Sequence, residues 1–329
     1  MPICLHHNDD DGRCAAAIVY NELFSIFVRE QCKFIEYYHS EQIDLNEIKS
    51  IYPGDMLVIV DLSLDDNIYK VIEKGVSEGM KVIHIDHHKS TLDFINSMTT
   101  EQHAILDKII KFYDTTISAT MLTWVYSFMT EEQQAHPENV EYDFSEGWSH
   151  LMIKGKGEGK IPRVVYLIDD YDTWRHSSPD SMRFNYGFVS EPNKHPTADI
   201  WQSLMYNRGD VLTLKYVEKG KAIQEFKEMD NEHIRKRGYV KVFNIDGKQC
   251  EIFCINTVGG TTTFGDVLKN YDAGMLFSYD GRNHMWKVMV RSHESSTFDC
   301  SAFAAQRGGG GHFHAAGFAC EDIDWVLGD

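Results

Sequence analysis

Positive charge is scarce in this chain: 32 Lys and Arg stand against 50 Asp and Glu, a formal net charge of −18 over 329 residues. Proteins that hold long nucleic acid electrostatically depend on clustered basic residues, so the composition argues against an electrostatic track for a long polymer. A short phosphorylated ligand met through metal ions remains compatible, and metal-binding carboxylates would themselves add to the acidity. The basic run His233-Ile234-Arg235-Lys236-Arg237 reads as a solvated helix end. Long apolar runs are missing too. None approaches the ~20 residues of a membrane span, and Asp9, Asp10 and Asp11 cut the first one short, so no secretory leader is expected. The seven cysteines are scattered and odd in number, which points to reduced thiols in a cytoplasm and not to a disulfide framework. Cys250 and Cys254 have no second pair or nearby histidine to complete a zinc set and read as core or strand residues. No internal repeat or low-complexity tract is present.

What is present is a soluble globular composition, 43% apolar and 25% charged, on a chain long enough for two domains. Ile3-Cys4-Leu5 predicts a short buried strand, followed by a helix from Arg13 to about Glu30 with Ala15, Ala16, Ile18, Val19, Leu23 and Phe27 on its apolar face. Further strands are expected at Phe34–Tyr38, Met56–Val60 and Lys81–Ile85, with a helix from about Asp66 to Glu78 stopped by Gly79. Continuous apolar strands alternating with helices predict a parallel sheet covered on both faces. A helix is expected from Ser118 to Met129, then a polar, Gly-rich stretch around Lys154–Lys160. Val164–Ile168 is another apolar run that leads into acids. From Pro179 to about Pro196 the pattern breaks up, and Asp199 to about Lys236 reads as a helical connector. Beyond Gly238 the texture changes to strands at Tyr239–Phe243, Glu251–Ile255, Gly274–Tyr279 and Trp286–Arg291, a smaller α/β domain.

The chemistry sits where the strands stop. His7-x-Asp9-x-Asp11-Gly12 ends the first, Asp61 the third and Asp86-His87-His88 the fourth, with Asp169, Asp170 and Asp172 after the later apolar run. Each fragment alone also suits an exposed turn or a capped helix start. In a parallel sheet, however, ligand sites lie beyond the carboxyl ends of the strands, so the topology would gather these groups at one edge. Carboxylate with imidazole suits a borderline divalent metal such as Mn²⁺ or Zn²⁺ better than Ca²⁺. A two-metal site needs a bridging carboxylate and separate terminal ligands. Asp61, isolated on its strand end, is the natural bridge, with His7 and Asp9 on one side and Asp11, His87 and Asp172 on the other. Asp86 could orient a neighbouring imidazole or add a ligand, leaving His88 to reach a substrate phosphate. The run Gly308–Gly311 could bring backbone amides close to a phosphate or base, with His312 as a donor, or be a flexible loop. Arg291 could pair bidentately with a phosphate or form a surface ion pair.

The set His7-Asn8-Asp9-Asp10-Asp11-Gly12, Asp61, Asp86-His87-His88 and Asp172 resembles the four motifs of the DHH phosphoesterase superfamily. Gly308 to His312 resembles the glycine-rich motif of the accompanying DHHA1 domain. The resemblance spans both halves in order. It implies an N-terminal parallel-sheet DHH catalytic domain over 1–190, a helical linker over 191–237 and a smaller C-terminal α/β DHHA1 substrate domain over 238–329. It implies two Mn²⁺ ions, with Mg²⁺ or Co²⁺ able to substitute, and hydrolysis of phosphoester bonds. Asp9, Asp11, Asp61, His87 and Asp172 are then ligands beside His7. Asp86 and His88 belong to the catalytic group, and His88, Arg291, Gly310, Gly311 and His312 contact substrate. Among Asp169, Asp170 and Asp172, the Asp172-Thr173 pair looks like the family's fourth motif. The His7-x-Asp9 start is similar to the nanoRNase (oligoribonuclease) branch more than to the inorganic pyrophosphatases, and RecJ-type exonucleases are longer. The expected protein is a cytoplasmic phosphodiesterase that releases mononucleotides from short oligonucleotides or dinucleotides, without membrane contact, and compatible with a homodimer. The alternatives are a cyclic or linear dinucleotide phosphodiesterase, a 3′-phosphoadenosine 5′-phosphate phosphatase, and a non-catalytic nucleotide-binding regulator, which would have no need of the full ligand set.

Overall fold

The computed structural model describes residues 1–38, 43–145, 148–206, 209–245 and 247–328, without the side chains of Thr261 and His312. The chain forms two compact units, Met1–Ile223 and Gln224–Asp329.

The first unit opens with β1 (Ile3–His7), α1 (Asp10–Ile18), β2 (Lys33–Tyr37), β3 (Met56–Val60), α2 (Asp66–Ser77) and β4 (Lys81–Asp86). It continues through α3 (Lys89–Ser97), α4 (Thr100–Leu106), β5 (Ile110–Tyr113), α5 (Ala119–Phe128) and α6 (Glu131–Ala135). The strands β1 to β5 make one all-parallel sheet in the order β2-β1-β3-β4-β5. Every residue of β3 is buried, as a strand covered on both faces requires. Side chains alternate across it. Val58, Val60, Ile83 and Ile85 join one core with Ala16, Met121 and Val165, while Leu57, Ile59 and Val82 join a second with Ile68, Val71 and Ile72 of α2. Each such side chain contributes about 1.5–3 kcal/mol relative to exposure. The sheet reverses its winding between β1 and β3, and the crevice at that reversal is where open α/β sheets bind ligands.

One helix differs from the sequence expectation, and stretches to which the sequence assigned no element acquire one. The helix predicted from Arg13 to Glu30 ends at Ile18 and continues as a π turn, Val19–Leu23, and a 3₁₀ turn, Phe24–Ile26. There the Asn21 amide donates to the Ala17 carbonyl at 2.8 Å, taking an acceptor from the helical ladder. The Gly-rich stretch is ordered as an antiparallel sheet of β6 (Tyr142–Ser145), β7 (His150–Ile153) and β8 (Gly157–Lys160). The apolar run Val164–Ile168 lies in a helix, α7 (Arg163–Asp172); a run that short does not separate buried helix from buried strand.

The broken pattern after Pro179 is also helical: α8 (Pro179–Phe188) starts on proline behind Ser178. It precedes α9 (Asp199–Met205) and α10 (Gly209–Arg235). The unit boundary falls within α10, and α9 seats Trp201 in the core of the first unit. Glycine weakens the helical signal in α8 and α10 but lets their backbones touch. A Cβ on Gly220 would stand 1.6 Å from the Arg183 carbonyl oxygen, and one on Gly187 would stand 2.0 Å from that of Tyr216.

The second unit has β9 (Tyr239–Ile245), β10 (Lys248–Asn256), β11 (Ala273–Asp280), β12 (Met285–Arg291), α11 (Cys300–Ala305), β13 (Gly310–His312), β14 (Ala315–Cys320) and α12 (Asp324–Leu327). Its sheet runs β13-β14-β12-β11-β10-β9, parallel only between β10 and β11. Cys250 and Cys254 are free, buried residues of β10. Among the described residues, no helix is long and apolar enough to cross a membrane.

Gly220→Ala tests the contact between α8 and α10. Forced separation of packed backbones costs about 1–3 kcal/mol, so thermal unfolding should fall by about 2–12 °C. An unchanged melt would show that the two helices do not meet there.

Candidate metal centre

In-register pairing levels the sheet's carboxyl edge. His6 stands opposite Val60 and Val60 opposite Ile85, so His7, Asp61 and Asp86 follow one step on, side by side. Asp61 leaves β3 with φ +57, a left-handed conformation uncommon for a non-glycine residue, while its N–H donates to the Ile85 carbonyl at 3.1 Å. Asp9 caps α1, accepting from the Gly12 N–H at 2.9 Å. Gly12 is required at this turn because a Cβ would lie 2.5 Å from the His7 carbonyl oxygen. Asp11, in the first turn of α1, reaches the N-terminus of α5: the N–H groups of Ala119 and Thr120 each donate to its carboxylate at 2.9 Å. Those groups are unpaired donors of α5 at the positive end of its dipole.

The side chains converge into three overlapping groups. His7, Asp9 and Asp61 each offer a ligand atom within 4.8 Å of one another, as do Asp11, His87 and Asp172, and Asp61, His87 and His88. One imidazole nitrogen ties them together. His87 Nε2 lies 3.3 Å from Asp61, 3.4 Å from Asp172 and 3.7 Å from Asp11. On the other side, His7 Nδ1 is 2.7 Å from Asp9 and 3.8 Å from Asp61. Asp61 therefore stands between the groups.

Neighbouring acids have other duties. Asp169 accepts from the Ser118 N–H at 2.7 Å and pairs with Arg175, and burial still lifts it to about 6. Asp170 accepts from the N–H groups of Ser177 and Ser178 at 2.9 and 3.1 Å, tying down the start of α8. Of the three competing acids, Asp172 is the one that meets Asp11 and His87. Asp86 is buried and accepts from His88 Nδ1 at 2.7 Å and from the Thr91 hydroxyl. That bond engages Nδ1 and leaves Nε2 as the other ring nitrogen of His88. Burial works against protonation of His88, but the Asp86 hydrogen bond and charge outweigh it and raise its pKa.

The electrostatics of the cluster are unbalanced. Burial, then the charges of Asp11, Asp9, Asp172 and Asp86, push Asp61 well above the usual carboxylate range. Burial with Asp11, Asp9 and Asp169 pushes Asp172 up to about 9. Burial acts against ionisation of Asp9 as well, yet the His7 bond holds it down at about 2. Asp61 Oδ2 is buried without a hydrogen-bond partner. A buried, unpartnered carboxylate oxygen among like charges fits a bound divalent cation, which would supply both the missing partner and the missing charge.

Of the remaining expected residues, Arg291, Gly310 and Gly311 lie in the second unit. Arg291 pairs with Ala315 and Ala315 with His312, placing Arg291 and His312 on one row two strands apart. The side chain of His312 lies outside the described residues. Sequence reasoning missed Thr91, which fixes Asp86 and accepts from the Leu64 N–H at 2.7 Å, and Arg175. The signal for Thr91 was a threonine in the first turn of the helix after Asp-His-His; Arg175 had none.

Comparison with known proteins follows this geometry. Residues 2–153 match the model described as DHH family, N-terminal domain. An uncharacterized protein of Acanthamoeba polyphaga mimivirus is 19% identical over 341 residues, spanning 99% of this chain and 69% of that one. Among solved structures, the DHH domain of a protein described as belonging to a family of ribosomal proteins superposes with a TM-score of 0.52 at 15% identity, over 97% of this chain and 82% of that one. A pGpG-specific phosphodiesterase, PggH from Vibrio cholerae, gives 0.48 at 11% identity, over 99% and 96%. At these identities the structural likeness concerns the fold.

The raised carboxylates carry a pH signature. A group whose pKa is higher folded than unfolded favours the fold at low pH and loses that contribution as pH rises through the folded value. Metal-free protein should therefore melt at progressively lower temperature between about pH 6.5 and 9, as Asp61 and Asp172 are forced to ionise. Saturating Mn²⁺ should flatten the trend. Metal-free melts that stay level or rise over this interval would contradict the charge imbalance.

Proposed function

We propose, on the premise that this chain belongs to the DHH family through residues 2–153, that it is a two-metal phosphodiesterase hydrolysing short oligonucleotides to mononucleotides. The observation that carries the reading is His87 Nε2 facing Asp61, Asp172 and Asp11 within 3.7 Å, beside a second group that shares Asp61. His7 and Asp9 would hold one Mn²⁺, and Asp11, His87 and Asp172 the other, with Asp61 between. When bound, the cations supply Lewis acidity at the phosphoryl group and acidify the attacking water.

The chain's own residues do the rest. Asp61, kept in its strained conformation by the Ile85 carbonyl, needs no reorganisation to present both oxygens. The α5 N–H groups hold the Asp11 carboxylate in place, and Thr91 fixes Asp86. Asp86 in turn fixes His88 with Nδ1 as donor; in the imidazolium form Nε2 also carries a proton and can donate to a phosphate oxygen. A raised pKa favours the charged form of His88, which suits an anionic substrate. Arg291 and the glycine run would hold a base or phosphate of the substrate. With a net charge of −18, short substrates are favoured, because long ones would rely on an excess of basic residues.

Hydrolysis of bis-p-nitrophenyl phosphate with Mn²⁺ is the first test. Asp61→Asn and His87→Ala should abolish it and reduce bound metal. Asp86→Asn and His88→Gln should lower kcat by about 10²-fold with metal content unchanged, as expected for loss of an oriented proton donor. No turnover by metal-loaded wild-type protein would end the enzyme reading. A panel of 5′-labelled dinucleotides to decamers, cyclic dinucleotides and 3′-phosphoadenosine 5′-phosphate then sets the substrate. The shortest oligonucleotides should turn over fastest. Cleavage of 3′-phosphoadenosine 5′-phosphate alone would overturn the oligonucleotide assignment.

A further inference from the structure

We infer that His84 is a positioning residue for Asp61, holding the turn that carries the shared carboxylate. The inference rests on the two-cation reading above. His84 lies on β4, two residues before Asp86, and is fully buried. Both of its ring nitrogens are engaged. Nε2 meets the Leu62 carbonyl at 2.9 Å, and Nδ1 meets the Tyr113 hydroxyl at 2.8 Å. A carbonyl oxygen only accepts, so Nε2 carries a proton. Burial favours the neutral ring, in which Nδ1 accepts from Tyr113. The two rings meet edge to face, with centroids 5.2 Å apart. The bonds therefore run across three strands, from Tyr113 at the end of β5, through β4, to the turn that follows β3.

A buried histidine with both nitrogens satisfied is ordinarily a core residue, and what distinguishes this one is the segment it holds. Asp61 adopts φ +57, and a non-glycine residue persists there only where its surroundings over-determine it. The Asp61 N–H and the Leu62 carbonyl bracket that residue, the first bound by the Ile85 carbonyl and the second by His84. The grip continues past them. The Ser63 and Ser90 hydroxyls share a hydrogen bond at 2.8 Å, and the Leu64 N–H donates to the Thr91 hydroxyl at 2.7 Å. Each residue from Asp61 to Leu64 is thus bonded to β4 or α3, with His84 supplying the side-chain bond nearest in sequence to the carboxylate. Asp61 Oδ2 has no hydrogen-bond partner of its own, so the placement of that oxygen depends on the backbone beneath it. An apolar residue at position 84, like Val82 on the same face, would avoid the cost of burying an imidazole. The polar ring stands where the turn presents a buried carbonyl that needs a donor.

The test is the Mn²⁺ affinity of the folded protein, titrated well below its melt, for His84→Leu and His84→Gln against the wild type. Hydrogen bonds that orient metal ligands from outside account for about 10- to 100-fold in affinity. His84→Leu, which fills the space without a donor, should weaken Mn²⁺ binding by that factor. His84→Gln, whose amide can offer an N–H near the position of Nε2, should recover most of it. A lower melt for His84→Leu with unchanged Mn²⁺ affinity would reduce the residue to core packing and overturn the inference. Equal weakening in both variants would overturn it too. If either variant does not fold, ¹⁵N spectra of the wild-type imidazoles decide: a proton on Nε2 of His84 supports the tether, and a bare Nε2 overturns it. If the wild type takes up no Mn²⁺, the two-cation reading fails separately, and the same spectrum still decides the tether.

Discussion

Like charge held at close range is the constraint around which this protein is built. Asp9 and Asp61 approach within 4.8 Å, as do Asp11 and Asp172. At the effective dielectric typical of protein sites, each pair of carboxylates at that separation repels by about 3–4 kcal/mol, a large part of a domain's net stability. Burial first, and this repulsion with it, makes two of the four, Asp61 and Asp172, resist ionisation. The fold tolerates this because the parallel sheet, buried on both faces, fixes the ends of β1, β3 and β4 in register whatever the charge beyond them.

A surrounding layer of hydrogen bonds shares the load unevenly. Asp11 is met by two N–H groups of α5, and Asp9 by Gly12 and His7. Asp86, outside the groups proper, is matched to His88 and Thr91. Asp61 Oδ2 has no hydrogen-bond partner. Protein donors neutralise the periphery and leave the middle open, the distribution expected when the central charge is balanced by a cation and not by a side chain. The same economy of positive charge appears in the whole chain, with 32 basic residues against 50 acidic ones.

The double-layered parallel sheet was legible in the sequence because its strands are continuous apolar runs that stop at acids. The convergence of His7, Asp9, Asp11, Asp61 and His87 followed from topology alone, since parallel strands share one carboxyl edge. Asp172 was reached differently. It comes from the end of α7, and the five apolar residues before it look the same in a buried helix as in a strand. The separation of Asp169, Asp170 and Asp172 by duty depends on Ser118, Arg175 and Ser177, partners from 6 to 51 residues away that no spacing rule connects. The truncation of α1 at Ile18 was illegible for a similar reason: Val19–Leu23 keeps its apolar spacing while a single side-chain hydrogen bond from Asn21 loosens the turn. Helix α8 was hidden by the prolines around it, Pro179, Pro192 and Pro196, and by its weak periodicity, while its Gly187 serves the close contact with Gly220.

The most direct measurement is anomalous diffraction at the manganese edge from crystals grown with Mn²⁺. Two peaks are expected in the first unit, one bounded by His7, Asp9 and Asp61 and the other by Asp11, His87 and Asp172, with Asp61 touching both. An absence of peaks at these side chains, with the carboxylates still gathered and the protein saturated with Mn²⁺ in solution, would contradict a two-cation centre.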